Sequence, residues 1–140
     1  MPATETMRVY TDGASRGNPG PAAIGYVILD KAGELIERNA RNVGKRTNNE
    51  AEYEALLLAM DRILTLGFDR AEFFSDSELM VRQINGRYRT KNERLKVLAD
   101  MVKPKKAKFA SFKLTHVVRE NRGTRLADAI VNEALDRAGF

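Results

Sequence analysis

Apolar positions recur along this chain with two different periods. MRVYTDG over 7–13 and AIGYVILD over 23–30 are apolar runs bounded by turn residues, and LIERNARNV over 35–43 alternates apolar and polar side chains like a half-exposed strand. Three antiparallel strands joined by tight turns are expected there. The period then lengthens. TNNEAEYEALLLAMDRILTLG over 47–67 carries a polar cap, apolar residues at helical spacing and a closing glycine, and predicts a long helix. A short aromatic strand over 70–76, a helix over 77–86 stopped at Gly86, a helix over 92–103 ended before Pro104, a strand over 111–118 and a helix over 124–139 follow. The order β-β-β-α-β-α-α-β-α, without repeat, low-complexity tract or linker, predicts one α/β domain over 1–140. Its five-stranded mixed sheet would have three antiparallel strands, then parallel additions, with helices on both faces. Residues 1–6 read as a loose N-terminal extension.

Against this pattern some acidic residues stand where apolar ones belong. At about 100° per residue, a wheel of the 47–67 helix puts Glu52 at the centre of a stripe made by Ala55, Leu56, Ala59, Met60 and Ile63. Glu50, Glu54 and Asp61 fall on the opposite, solvent side. An ionised carboxylate facing a core is costly unless it is paired or coordinates a metal, so Glu52 needs either a basic partner at the sheet edge or a cation. On the last helix Asp128 lies at the margin of an apolar stripe with Ala127, Val131 and Leu135. There the favourable field of a helix start is an equally good explanation. Asp12 and Asp76 both close strands, where α/β sheets display their chemistry, although on position alone Ser75 or Asp76 reads better as the cap of the following helix.

Composition narrows what these acids can do. The chain has no cysteine and a single histidine, His116, so disulfides, thiol catalysis and cysteine- or multi-histidine metal sites are excluded. Any metal would be held by carboxylate oxygens, which suit magnesium, manganese or calcium. The net charge of +5, with dense basic runs in GRYRTKNERLK at 86–96 and KPKKAK at 103–108, points to a polyanionic partner or to solvated faces. No signal-like stretch or apolar span is present, so a cytoplasmic protein without a membrane partner is expected. Clustered carboxylates tolerate one another through divalent cations, and two such ions can clamp a phosphodiester between attacking and leaving oxygens. Metal-dependent phosphodiester hydrolysis is therefore expected.

At this point a family resemblance comes into view. TDGASRGNPGPAAIGYVI, TNNEAEYEALLLAM, FSDSELMVRQING and the helix containing LADAIVNEAL resemble, in that order, ribonuclease H of type 1, from about residue 7 to the end of the chain. The resemblance implies a ribonuclease H-like fold whose third strand lies at one edge of the sheet. It also implies an endonuclease that cuts the RNA strand of RNA/DNA hybrids and leaves 3′-hydroxyl and 5′-phosphate ends, with Mg²⁺, or alternatively Mn²⁺, as cofactor. By motif position it assigns the catalytic and metal-binding carboxylates to Asp12, Glu52, Asp76 and Asp128. It gives Asn18, Asn48 and Asn49 contacts in the minor groove of the hybrid, where 2′-hydroxyls distinguish RNA from DNA, and Thr47 a phosphate contact. A monomer is expected.

The sequence also departs from the pattern. NRGTRLAD is about two residues longer than the usual spacing before the last aspartate. Glu78 stands where relatives often carry Gln, and would either repel phosphate or act as an extra acid at the substrate. Gly86 to Leu95 is too short for the basic handle of many relatives, so hybrid binding would lean on GRYRTK and KPKKAK. His116 falls within the last predicted strand and reads as structural, leaving Arg119 or Glu120 for the role that a loop histidine has in some relatives. Two other functions fit the same fold: a nucleic-acid-binding module with little activity, and a nuclease for another substrate such as double-stranded RNA.

Overall fold

The computed structural model describes residues 5–87 and 89–140. Five strands form one sheet: β1 (Met7–Ser15), β2 (Gly20–Leu29), β3 (Leu35–Arg46), β4 (Arg70–Ser75) and β5 (Ser111–His116), in the spatial order β3-β2-β1-β4-β5. The first three pair antiparallel, and β4 and β5 add in parallel. Four helices complete the fold: α1 (Asn48–Thr65), α2 (Glu78–Ile84), α3 (Glu93–Lys106) and α4 (Arg122–Arg137). The mixed sheet and its edge strand are as the sequence predicts. No helix among the described residues is long and apolar enough to cross a membrane.

Alternation along the strands assigns the helices to faces. Val9, Tyr26, Ile28 and Phe73 pack with Leu56, Met60 and Ile63 of α1 and Leu95 and Val102 of α3. Their neighbours point the other way, Tyr10, Val27 and Phe74 onto Ala127 of α4, and Ala23 onto Val131 and Leu135. Successive side chains of a strand face opposite sides, so the interior strand β4 spends one phenylalanine on each layer. Phe73 is fully buried against Phe109 and Phe112, and Phe74 stacks on Tyr10 at 4.7 Å between ring centroids.

Several element ends differ from the sequence-based expectation. β3 runs on to Arg46 because Gly44, at φ +83°, and a register shift opposite Ala22 and Ala23 carry the strand past residue 43. α3 continues through Pro104 to Lys106. Proline removes one donor, yet Val102 stays buried and Ala107 N–H still bonds to Lys103 O at 3.1 Å, so the last turn closes. α4 begins at Arg122 rather than 124, because Asn121 Oδ1 accepts the N–H groups of Gly123 and Thr124. Of the expected N-terminal extension, residues 1–4 lie outside the described residues, while Glu5 accepts a hydrogen bond from Lys31 N–H at 3.1 Å. Tyr88, the aromatic of the first basic run, also lies outside them.

Candidate metal centre and nucleic-acid cleft

Parallel pairing of β1 with β4 puts Tyr10 opposite Phe74. Two residues further along each chain come Asp12 and Asp76, so the two carboxylates meet at neighbouring strand ends. Ser77, not Ser75 or Asp76, caps α2, its hydroxyl accepting from Met80 N–H, which leaves Asp76 free of the capping role. Glu52 arrives from the first turns of α1, whose start is set by a capping box: Thr47 Oγ1 accepts from Glu50 N–H and the Glu50 carboxylate from Thr47 N–H. Glu52 is 8% exposed and accepts a 2.7 Å hydrogen bond from Gly13 N–H. That contact exists because Gly13 lacks a side chain. A Cβ there would stand 2.2 Å from the Ala51 carbonyl carbon and oxygen.

Carboxylate oxygens of Asp12, Glu52 and Asp76 lie within 4.8 Å of one another. Asp128, from the second turn of α4, lines the same open cleft of about 560 Å³ but stands outside that group. Because Asn121 starts the helix, Asp128 is past its first turn, and the helix-start explanation of its position falls away. The cleft is also lined by Asn48, Asn49, Ser77, His116, Arg119 and Glu120.

The electrostatics are those of an under-neutralised acidic site. Burial, then the charges of Asp76 and Asp128, raise the Asp12 carboxyl from 3.8 to about 7. Burial, then Asp12 and Asp76, push Glu52 well above the ordinary carboxylate range. Asp12 Oδ2 is buried without a hydrogen-bond partner among the described residues. Arg119 brings a cation of the protein's own to the cluster, its Nε lying 3.5 Å from Asp76 Oδ2 with its side chain 77% exposed. An orphaned carboxylate oxygen beside two further carboxylates, all oxygen donors, fits a hard divalent ion.

The raised acids make stability depend on pH. A carboxyl that binds its proton more tightly in the folded protein adds stability that is complete below about pH 4 and is lost as pH rises through about 7. Metal-free protein is therefore expected to be less stable at pH 8 than at pH 5, by a few kcal/mol, and a millimolar divalent cation is expected to restore most of the difference at pH 8. Urea denaturation at both pH values, with and without the ion, measures it. Equal stability across the range would disprove the crowding of the acids.

Residues 10–134 match the family model described as reverse transcriptase-like. The crystal structure of RNase H1 from the archaeon Halobacterium salinarum superposes at a TM-score of 0.91 with 38% identity, covering 94% of this chain and 98% of that one. The chain belongs to the ribonuclease H family. Ribonuclease HI of the same archaeon is 39% identical over 132 residues, 94% of this chain and 65% of that protein. The bifunctional protein Rv2228c of Mycobacterium tuberculosis is 36% identical over 93% of this chain and 35% of its own length. This chain thus spans just under two thirds of the archaeal relative's length and about a third of the mycobacterial one's. LC11-RNase H1, solved in complex with an RNA/DNA hybrid, superposes at a TM-score of 0.87 with 40% identity, covering 94% of this chain and 98% of that one.

For a ribonuclease H, the remaining expected residues are unevenly placed. Asn48 and Asn49 line the cleft, exposed. Asn48 Oδ1 accepts from Ser15 N–H at 2.9 Å and Ser15 Oγ at 3.1 Å, and its own N–H donates to Asn18 Oδ1 at 3.0 Å. Asn18, exposed on its loop, thus braces Asn48 without lining the cleft itself, and Thr47 caps α1. Glu78 lies outside the lining, 2.7 Å from Arg82 one turn along α2. Glu50 and Glu54, expected as plain surface charges, are engaged: Glu50 in the capping box, Glu54 with Arg46 at 2.6 Å. His116, expected to be structural, ends β5 exposed at the cleft margin. The grip of Gly13 N–H on Glu52 was missed by sequence reasoning. Its only trace there is the TDG triplet.

Proposed function

We propose that this chain hydrolyses the RNA strand of RNA/DNA hybrids, leaving 3′-hydroxyl and 5′-phosphate ends, with Asp12, Glu52, Asp76 and Asp128 as its catalytic carboxylates. The observation that carries this is the trio Asp12, Glu52 and Asp76, gathered within 4.8 Å in an open cleft with one buried oxygen unpartnered. A carboxylate cluster beside bound phosphates has little use in a pure binding module. The names of the relatives support the same reading.

Asp12, Glu52 and Asp76 would hold a divalent ion, Mg²⁺ or Mn²⁺, with Asp128 in the same cleft as the fourth carboxylate. Such ions supply an activated water nucleophile and neutralise charge gathering on the phosphate. The protein does the rest. Gly13 N–H orients Glu52, and Arg119 balances Asp76. Asn48 and Asn49 present amides able to read 2′-hydroxyls across a minor groove, held by Ser15 and Asn18. The two basic runs, apart in sequence, converge on one groove of about 620 Å³ lined by Arg89, Lys91, Lys96, Lys103 and Lys106, opposed by Asp100. That groove would carry the phosphate contacts of the missing handle. On this reading the chain works as one ribonuclease H-like unit, a monomer in the cytoplasm.

A substrate panel tests it: labelled RNA/DNA hybrid, double-stranded RNA and double-stranded DNA, each with Mg²⁺ or Mn²⁺. The expected result is cutting of the RNA strand of the hybrid alone. Binding without cutting in either metal would favour the binding module, and equal cutting of double-stranded RNA would overturn the substrate assignment.

A further inference from the structure

One arginine outside the acidic cluster is tied to two parts of the site at once. Arg16 follows β1 directly and opens the loop that carries Asn18. Its N–H donates to Pro21 O at 2.7 Å, closing the loop at its base. Its guanidinium reaches across to α4. Nη1 lies 2.7 Å from Asp136 Oδ1 and donates to the Phe140 carbonyl, while Nη2 donates to both Asn132 O and Asn132 Oδ1 at 3.4 Å. Asn132 in turn donates from Nδ2 to the Asp128 carbonyl at 3.0 Å. On its other side the loop is fastened to α1, through Asn18 Oδ1 and Asn48 N–H at 3.0 Å.

We infer that Arg16 is a positioning residue, holding the Asn18 loop and the Asp128 turn of α4 as one unit so that substrate contacts and the fourth carboxylate keep a fixed relation. The inference rests on the nuclease reading above. A partly exposed ion pair such as Arg16–Asp136 does little for stability by itself. A planar fork that engages Asn132, Asp136 and Phe140 together is a geometric device, which a lysine could not reproduce. The loop needs such a device. Gly17, at φ +102°, and the neighbouring turn residues leave it many conformations when unheld.

Arg16→Ala is therefore expected to raise KM for hybrid about tenfold, the effect of one or two lost hydrogen bonds to a charged group. The half-saturating Mg²⁺ concentration should rise with it, and the melting temperature should move little. Arg16→Lys, which keeps the pair with Asp136 but not the fork to Asn132, should retain the raised KM. Asn132→Ala should raise KM in the same direction, and the double variant Arg16→Ala/Asn132→Ala should be no worse than the more impaired single one. Amide hydrogen exchange at Gly17 and Asn18 should speed up in both single variants. Unchanged KM, additive losses, full rescue by lysine or unchanged exchange would each overturn the clamp. Exchange is read without turnover, so a wild-type protein that failed to cut hybrid would sink the nuclease reading while the loop amides still decided the role of Arg16.

Discussion

Asp12→Asn is expected to lower hybrid cleavage about a thousandfold or more while leaving the metal-free protein at pH 8 as stable as the wild type, or more so. The size follows from what a bound divalent ion contributes, several kcal/mol of transition-state charge stabilisation, at about 1.4 kcal/mol per tenfold in rate. Asn keeps the volume and hydrogen-bonding reach of Asp but removes the charge on which the site converges. Stability should not suffer. The native Asp12 is opposed by burial and by the charges of Asp76 and Asp128, and those costs vanish with its charge. Steady-state cleavage with Mg²⁺ and a urea titration on the same preparation measure both halves. An active Asp12→Asn enzyme would end the metal-site assignment, and a strongly destabilised one would end the account of the electrostatics. Glu50→Gln is the matching control, since glutamine also completes a capping box and Glu50 does not line the cleft.

The second large effect belongs to a residue without a side chain. Gly13→Ala would put a Cβ 2.2 Å from the Ala51 carbonyl and 2.6 Å from Glu52 N, all backbone atoms. No rotamer change relieves such a clash. β1 is flanked by β2 and β4, and the first turn of α1 is locked by Thr47 and Glu50, so one element has to move. Overpacking of this kind costs about 3 kcal/mol or more, roughly a 10 °C fall in melting temperature for a chain of this size. Any movement that relieves it also draws Glu52 from Gly13 N–H, so whatever folds should need more Mg²⁺ for cleavage. Thermal denaturation and a Mg²⁺ titration check the two effects. A variant melting within a few degrees of wild type would show that the strand and helix do not meet as closely as described.

How much of this was legible beforehand differs from residue to residue. Glu52 could be read directly: helical periodicity is local, so one wheel separates an acid on the core stripe from Glu50 and Glu54 on the other side. The same wheel says nothing of partners, and it missed that Glu50 and Glu54 are held by Thr47 and Arg46. The start of α4 was misplaced by two residues because the asparagine cap, three positions before Thr124, competes with the glycine that precedes the threonine. That shift moved Asp128 from the first turn to the second and changed the meaning of its position. Pro104 was read as a helix stop, since a sequence shows the missing donor but not the packing of Val102 that carries the helix onward.

By itself, the sequence determined the elements, the inward-facing Glu52, the oxygen-only character of any metal site and, through its motifs, the family. These depend on neighbours within one or two turns of chain, or on residue types that are present or absent outright. Only the tertiary structure decided that β4 lies beside β1, bringing Asp12 to Asp76, and that Arg89 and Lys91, before α3, share one groove with Lys96, Lys103 and Lys106 of that helix. It alone decided that Arg16 reaches Asn132 and Asp136 from more than a hundred positions away. Such relations are set by strand order and helix crossing, which arise from the burial of whole faces, and no local pattern of apolar and polar residues encodes them.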